Sequence, residues 1–165
     1  VGTYRADFDA TGLRFAVVVS RYNHLIGVRL LKGALGELAQ RGAPLETVDV
    51  AWVPGAFELP LAAEKLAATG RYAAVITLGV VIRGGTPHFE YVCQGVTDGV
   101  MSAMRRTGVP IAFGVLTTDD AQQALDRAGG VGGHKGVEAA LAAIEMARLV
   151  PRLGSLPAAA SEESA

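Results

Sequence analysis

The residues best equipped for chemistry lie between Arg83 and His88, in the stretch YAAVITLGVVIRGGTPHFEY that spans residues 72–91. A histidine can exchange protons near neutral pH. Backbone N–H groups at Gly85 and Thr86, at the start of a helix, suit a phosphate or an oxyanion. Arg83 adds a cation. Each has a plainer reading: His88 as a solvated histidine beside a helix cap, Arg83 as a surface charge. The glycine pair lacks both the phosphate-loop lysine motif and the dinucleotide fingerprint. Position favours chemistry. The Val/Ile-rich run before Arg83 suits a strand covered on both faces, Gly84-Gly85 a tight turn, Thr86 a helix cap and Pro87 a first helical position. The cluster therefore falls where a strand stops, which is where ligands bind in open α/β sheets.

Other candidates occupy similar places. Tyr22 beside Asn23 is either an aromatic platform with a hydrogen-bonding neighbour or a boundary tyrosine closing the core. Trp52 and Phe57 bracket Pro54-Gly55, and packing is the plainer reading of both. Glu58 is a first-turn carboxylate placed to gain from a helix dipole or to bind hydroxyls. Arg127, Lys135 and Glu138 form a late polar set, in which Lys135 and Glu138 have the spacing of an ordinary helix-surface pair. His24, His88, His134 and Cys93 show none of the close spacings of a zinc site. Cys93 falls on an apolar helix face and reads as packing, and no G-x-S-x-G motif is present.

The elements that must position these residues alternate. Residues 15–20 (FAVVVS) read as a buried strand. Asn23 can then cap a helix turning Leu25, Ile26, Leu30, Leu31, Ala34, Leu35 and Leu38 inward, stopped by Gly42. Residues 47–53 read as a second strand, followed by a helix from Ala56 to near Gly70 with Pro60 in its first turn. The third strand ends at Arg83, and a helix over 87–107 buries Phe89, Val92, Val96, Val100 and Met104. Residues 109–116 form a fourth strand. Asp119 and Gln122 have capping-box spacing for a short helix through Ala128. Gly129, Gly130, Gly132 and Gly133 read as a flexible link to a last helix over 135–150, ended by Pro151. Residues 1–12 are left as an arm or edge strand that can add to a neighbouring subunit, and 151–165 as a frayed tail. Four strands alternating with helices predict a parallel sheet with helices on both faces, a three-layer α/β/α, flavodoxin-like arrangement. Its polar strand exits converge on one edge.

Composition narrows the partners. The chain has 165 residues, half of them hydrophobic, which fits one domain of about 13–150 with its own core. Fifteen basic against sixteen acidic residues, with no basic block, disfavour binding driven by nucleic-acid phosphates. The single cysteine fits a reducing compartment, and no stretch is long and apolar enough to span a membrane, so a cytoplasmic location is expected.

The segments VVVSRYNHLI, VPGAFELPLAA, LGVVIRGGTPHFEYVC, PIAFGVLTTDDAQQALDRAG and HKGVEAALAAIEMA together resemble the 6,7-dimethyl-8-ribityllumazine synthases of riboflavin biosynthesis, over roughly residues 13–149. The resemblance implies a transferase that condenses 5-amino-6-(D-ribitylamino)uracil with 3,4-dihydroxy-2-butanone 4-phosphate, and it implies no metal or organic cofactor. By similarity, Tyr22 stacks on the pyrimidine, where the family more often carries Phe, with Asn23 beside it. Phe57 and Glu58 hold the ribityl side, and Ala56 and Val80 complete that wall. The backbone at Val81 and Ile82 reads the ring's polar edge. Gly85 and Thr86 donate to the substrate phosphate. His88 is the proton shuttle, oriented by Glu138. An adjacent subunit supplies Phe113, Arg127 for the phosphate, and Lys135 near a ring carbonyl. The family forms homopentamers, some of which close into 60-subunit icosahedral shells, and riboflavin synthase is an implied partner. The segment AGGVGGH departs from the family's usual AGTKxGN, with His134 in place of the common Asn, which leaves the assembly open. Two other readings use the same residues: a flavin-binding module that performs no turnover, and a shell-forming protein whose pocket has decayed.

Overall fold

The computed structural model describes residues 1–157. Four parallel strands, β1 (Phe15–Ser20), β2 (Asp49–Val53), β3 (Ala74–Ile82) and β4 (Ile111–Thr118), form one sheet in the order β2-β1-β3-β4. Both central strands are apolar in an unbroken run because both of their faces are covered. Alternate residues serve opposite cores. Val17, Val19, Ile76, Leu78 and Val80 pack with helices α1 (His24–Gln40) and α5 (Lys135–Gly154). Ala16, Val18, Val75 and Val81 pack with α2 (Leu59–Ala67) and α3 (His88–Thr107). The expected three-layer α/β/α fold with a four-stranded parallel sheet is the one observed.

Glycines set how closely the layers approach. A Cβ on Gly136 of α5 would lie 2.1 Å from the Leu30 carbonyl oxygen of α1, so these two helices meet backbone to backbone. On the opposite face, Gly95 and Gly99 of α3 leave room for the Phe57 ring and Pro60. The cleft described below depends on that second contact, because it sets the height of the segment carrying Phe57.

Several local expectations are corrected. Leu25 is 80% exposed; the buried stripe of α1 runs through Ile26, Leu30, Ala34 and Leu38, and Leu25 lies off it. Thr47 belongs to a 3-10 turn, Leu45–Thr47, where its hydroxyl donates to the Pro44 carbonyl, so β2 starts at Asp49. Residues Ala56–Glu58 are a 3-10 turn ahead of α2, and Pro60 falls in the first turn of that helix. The short helix α4 (Ala121–Asp126) is capped by Asp120, whose carboxylate accepts from the Gln123 N–H at 2.8 Å, one residue later than the Asp119/Gln122 pairing. The expected glycine link is a small antiparallel hairpin of β5 (Ala128–Gly130) and β6 (Gly133–His134). Helix α5 continues through Pro151 to Gly154. A proline removes only its own N–H, which near a helix end costs one hydrogen bond. Residues 1–10 form no strand in this chain. Part of this segment runs along α5, where Arg148 donates to the carbonyls of Asp9 and Thr11, and Arg152 to that of Arg5. The rest of the expected tail, 158–165, lies outside the described residues.

Candidate active site

The strand order reverses direction at β1, so the connections leaving β1 and β3 run to opposite sides of the sheet and open a crevice between their carboxyl ends. A cleft of about 510 Å³ occupies that position. It is lined by Tyr22 and Asn23 after β1, by residues 55–58 after β2, by residues 80–82 at the end of β3, and by His88, Tyr91 and Val92 on α3. Its size falls in the usual range for small-molecule sites.

Each wall has a local cause. The chain leaving β1 is laced to the chain leaving β2: Arg21 N–H donates to the Val53 carbonyl at 2.8 Å and Tyr22 N–H to that of Pro54 at 2.9 Å. This draws the Tyr22 ring over Gly55, where a Cβ would sit 2.9 Å from the ring. Asn23 has φ 58°, the one non-glycine residue with positive φ among the described residues. Such strain persists where the surroundings over-determine it. Here the Asn23 side chain makes no helix cap, contrary to expectation; its Nδ2 donates to the Val80 carbonyl at 3.1 Å and so bridges β1 to β3. Residues two apart share a strand edge. Because Val80 turns its carbonyl to the β1 side while Arg83 N–H donates to Thr118 of β4 at 2.9 Å, Ile82 also faces the crevice and the Val81 backbone faces β4. Beyond Leu78, β3 has no partner on the β1 side. The Ile82 backbone groups are thereby open to a ligand.

Glu58 accepts from the Gly55 N–H through Oε2 at 2.8 Å, so it stiffens the β2 exit with one oxygen and presents the other. Phe57 is 60% exposed, braced by Gly95. His88 is the first residue of α3 and exposed. Pro87, not Thr86, occupies the cap position, with no side-chain cap bond. The N–H groups of Gly85 and Thr86 have no backbone partner among the described residues.

Arg83 is engaged within its own chain. Its Nε donates to Asp119 at 2.8 Å, it also pairs with Glu90, and it lies 4.2 Å from the centroid of the Phe89 ring. These carboxylates hold the guanidinium firmly in its charged form, and Glu90 is pulled below the usual carboxylate range in return. Arg83 thus fastens the start of α3 to the β4 exit. Cys93 is partly buried, and burial raises its thiol pKa, so it offers no ready thiolate.

The cleft consequently brings together Tyr22, Asn23, Ala56, Phe57, Glu58, Val80, Val81, Ile82 and His88, and it lacks any Lys or Arg. Gly85 and Thr86 sit on the loop beside His88 and do not line it. Phe113, Arg127, Lys135 and Glu138 do not line it either. Phe113 is 39% exposed on the edge strand β4, Arg127 is exposed and makes no ion pair among the described residues, and Glu138 pairs with Lys135 and not with His88. Sequence reasoning placed Gly55 at a strand exit facing the pocket without giving it a role, and missed Tyr91 and Val92 as lining residues. The last two follow from His88 by one helical turn, a spacing visible in the sequence.

Gly85 does not have positive φ, and a Cβ there would meet nothing within 4 Å. The fold of this chain therefore does not demand it. Gly85→Ala is expected to leave the thermal midpoint unchanged or slightly higher and to raise KM for a phosphorylated substrate about fivefold. A lowered midpoint with unchanged KM would make Gly85 a turn residue only.

An open parallel sheet with an aromatic-walled crevice of small-molecule size at its switch point defines a flavodoxin-like α/β protein. The chain matches the family model of 6,7-dimethyl-8-ribityllumazine synthase over residues 12–151, most of its length, and belongs to that family. Its activity is that of a lumazine synthase in riboflavin biosynthesis, a transferase acting on small-molecule substrates. No helix among the described residues is long and apolar enough to cross a membrane.

Proposed function

We propose that the cleft is half of the lumazine synthase site and that an adjacent copy of the chain supplies the other half, within a homopentamer. One observation carries this reading: the cleft contains a histidine and a carboxylate but no cation, although one substrate is a phosphate monoester. Burying that charge without a partner would be costly. Arg127, exposed and without an ion-pair partner among the described residues, is the guanidinium we assign to it, in keeping with the family resemblance. The exposed faces of Tyr22, Phe57, Tyr91 and Phe113 agree with a covering subunit.

In this arrangement the uracil ring stacks on Tyr22, with Phe113 of the neighbour closing the other side. Asn23 and the Ile82 backbone meet its polar edge, and the neighbour's Lys135 lies near a ring carbonyl. The free oxygen of Glu58 accepts from a ribityl hydroxyl. The phosphate lies against the Gly85 and Thr86 N–H groups and the neighbour's Arg127. The substrate amine attacks the ketone and loses water to give an imine. Removal of a proton beside the imine expels phosphate, the resulting enol tautomerises to a ketone, and the ribitylamino nitrogen attacks that carbonyl and closes the ring with loss of a second water. Arg127 and the loop donors stabilise the leaving phosphate, and His88 carries protons, with Glu138 set to orient it once the assembly forms. Holding both substrates in one place supplies much of the acceleration.

Lumazine formation from the two substrates, followed by absorbance, with particle mass measured on the same sample, tests this reading. Activity from a particle of at least five chains is expected. Full activity from a monomer would overturn the shared site. The same mass distinguishes a free pentamer from a 60-subunit shell. Addition of riboflavin synthase to that sample asks whether it associates, and the cytoplasm is the compartment in which we place the reaction.

A further inference from the structure

The β5–β6 hairpin joins Arg127 to Lys135; Ala128 buries its base in the core, the Gly132 N–H donates to the Asp126 carbonyl at 2.8 Å, and the His134 imidazole packs it against α1. His134 lies between two glycines. A Cβ on Gly33 of α1 would come within 2.1 Å of its Cε1 and 2.3 Å of its Nε2, and a Cβ on Gly129 of β5 within 3.1 Å of its Cδ2. No other residue type fits Gly33 with the ring in place, although Gly in a helix interior is unfavourable by about 1 kcal/mol relative to Ala. The ring's Nδ1 is buried and makes no hydrogen bond among the described residues. The imidazole thus acts here through its shape. His134 also pairs with Ala128 across the hairpin, and Lys135 N–H donates to the Arg127 carbonyl at 2.8 Å. Arg127 lies immediately before this unit.

We infer that His134, wedged into the Gly33/Gly129 slot, is a positioning residue that sets the reach of Arg127 toward the substrate phosphate. The inference rests on the role proposed for Arg127 above. It predicts a selective effect, because Arg127 is otherwise held only as the C-cap of the six-residue α4, whereas Lys135 opens the 20-residue α5. The helix it begins is held by the Gly136–Leu30 contact and by the buried Ala139, Ala140 and Ile144. Loosening the hairpin moves Arg127 and leaves Lys135 in place.

The test uses His134→Ala, Gly33→Ala, the double variant and Arg127→Ala, each as the assembled full chain. Each of the first two single variants is expected to raise KM for the phosphorylated substrate about three- to tenfold, with KM for the uracil and kcat within about twofold. The double variant is expected to be no worse than His134→Ala, since removing the ring frees the space that the new methyl needs. Amide exchange in residues 128–134 rises in both single variants. The inference is overturned if Gly33→Ala harms the His134→Ala background as much as the parent, or if both substrates' KM values rise together. It is also overturned if neither KM moves while Arg127→Ala raises that of the phosphorylated substrate. Should Arg127→Ala itself be silent, the phosphate role of Arg127 fails, and unchanged exchange in 128–134 would separately overturn the wedge.

Discussion

Arg127→Ala is expected to raise KM for 3,4-dihydroxy-2-butanone 4-phosphate by about 100-fold while leaving KM for the uracil within about twofold. The size follows from the charge inventory. The cleft lining has no Lys or Arg, and Arg83, which follows the lining residue Ile82, is engaged by Asp119, Glu90 and Phe89. Backbone donors at Gly85 and Thr86 would be left to hold a dianion alone. Removing one partner of a desolvated charge pair costs several times more than losing a surface contact, because the other charge stays buried. The thermal midpoint should not move, since Arg127 is exposed and makes no ion pair among the described residues. Saturation curves identical to the parent's would remove Arg127 from the phosphate site.

His88→Ala is expected to slow kcat about 10- to 30-fold with both KM values within about threefold, measured at saturation in both substrates. Proton transfer by a well-held group contributes about 10²- to 10⁴-fold. A value below that range applies here because His88 stands exposed at the start of α3 and donates no hydrogen bond to Glu138 within its own chain. It also applies because holding two substrates together already supplies much of the rate. A change in KM with kcat intact would make His88 a binding residue instead.

Much of this could be read from the residues before any fold was visible. Apolar runs at 15–20 and 74–82 gave both central strands because doubly covered strands tolerate no alternation, and the polar residues at their exits located the crevice. Local competition was harder to read. Asp119 and Asp120 are equally good caps in sequence, and the backbone at Asp120 decided between them. Gly129 and Gly133 look like a flexible link, yet both have positive φ in a closed hairpin, a conformation to which glycine is suited. Asn23 looked like a helix cap, but the neighbouring end of β3 offered its amide the Val80 carbonyl. That contact spans 57 residues, and no local pattern encodes it. Arg83 illustrates the limit for the site. Its type and place left it between a cation at the strand exit and a plain surface charge, and only the arrangement of Asp119, Glu90 and Phe89 around it revealed a fastening. The roles proposed for Phe113, Arg127 and Lys135 came only through resemblance, and none of the three lines the cleft of its own chain.

The central claim is that each site takes His88 from one chain and Arg127 from the next. Co-expressing His88→Ala chains with Arg127→Ala chains, and assaying the mixed assemblies at low phosphorylated substrate, tests it most directly. Random assortment of equal amounts in a ring gives about one interface in four with both residues intact, so roughly a quarter of parental activity is expected. Mixed assemblies no more active than the average of the two separate variants would contradict the shared site.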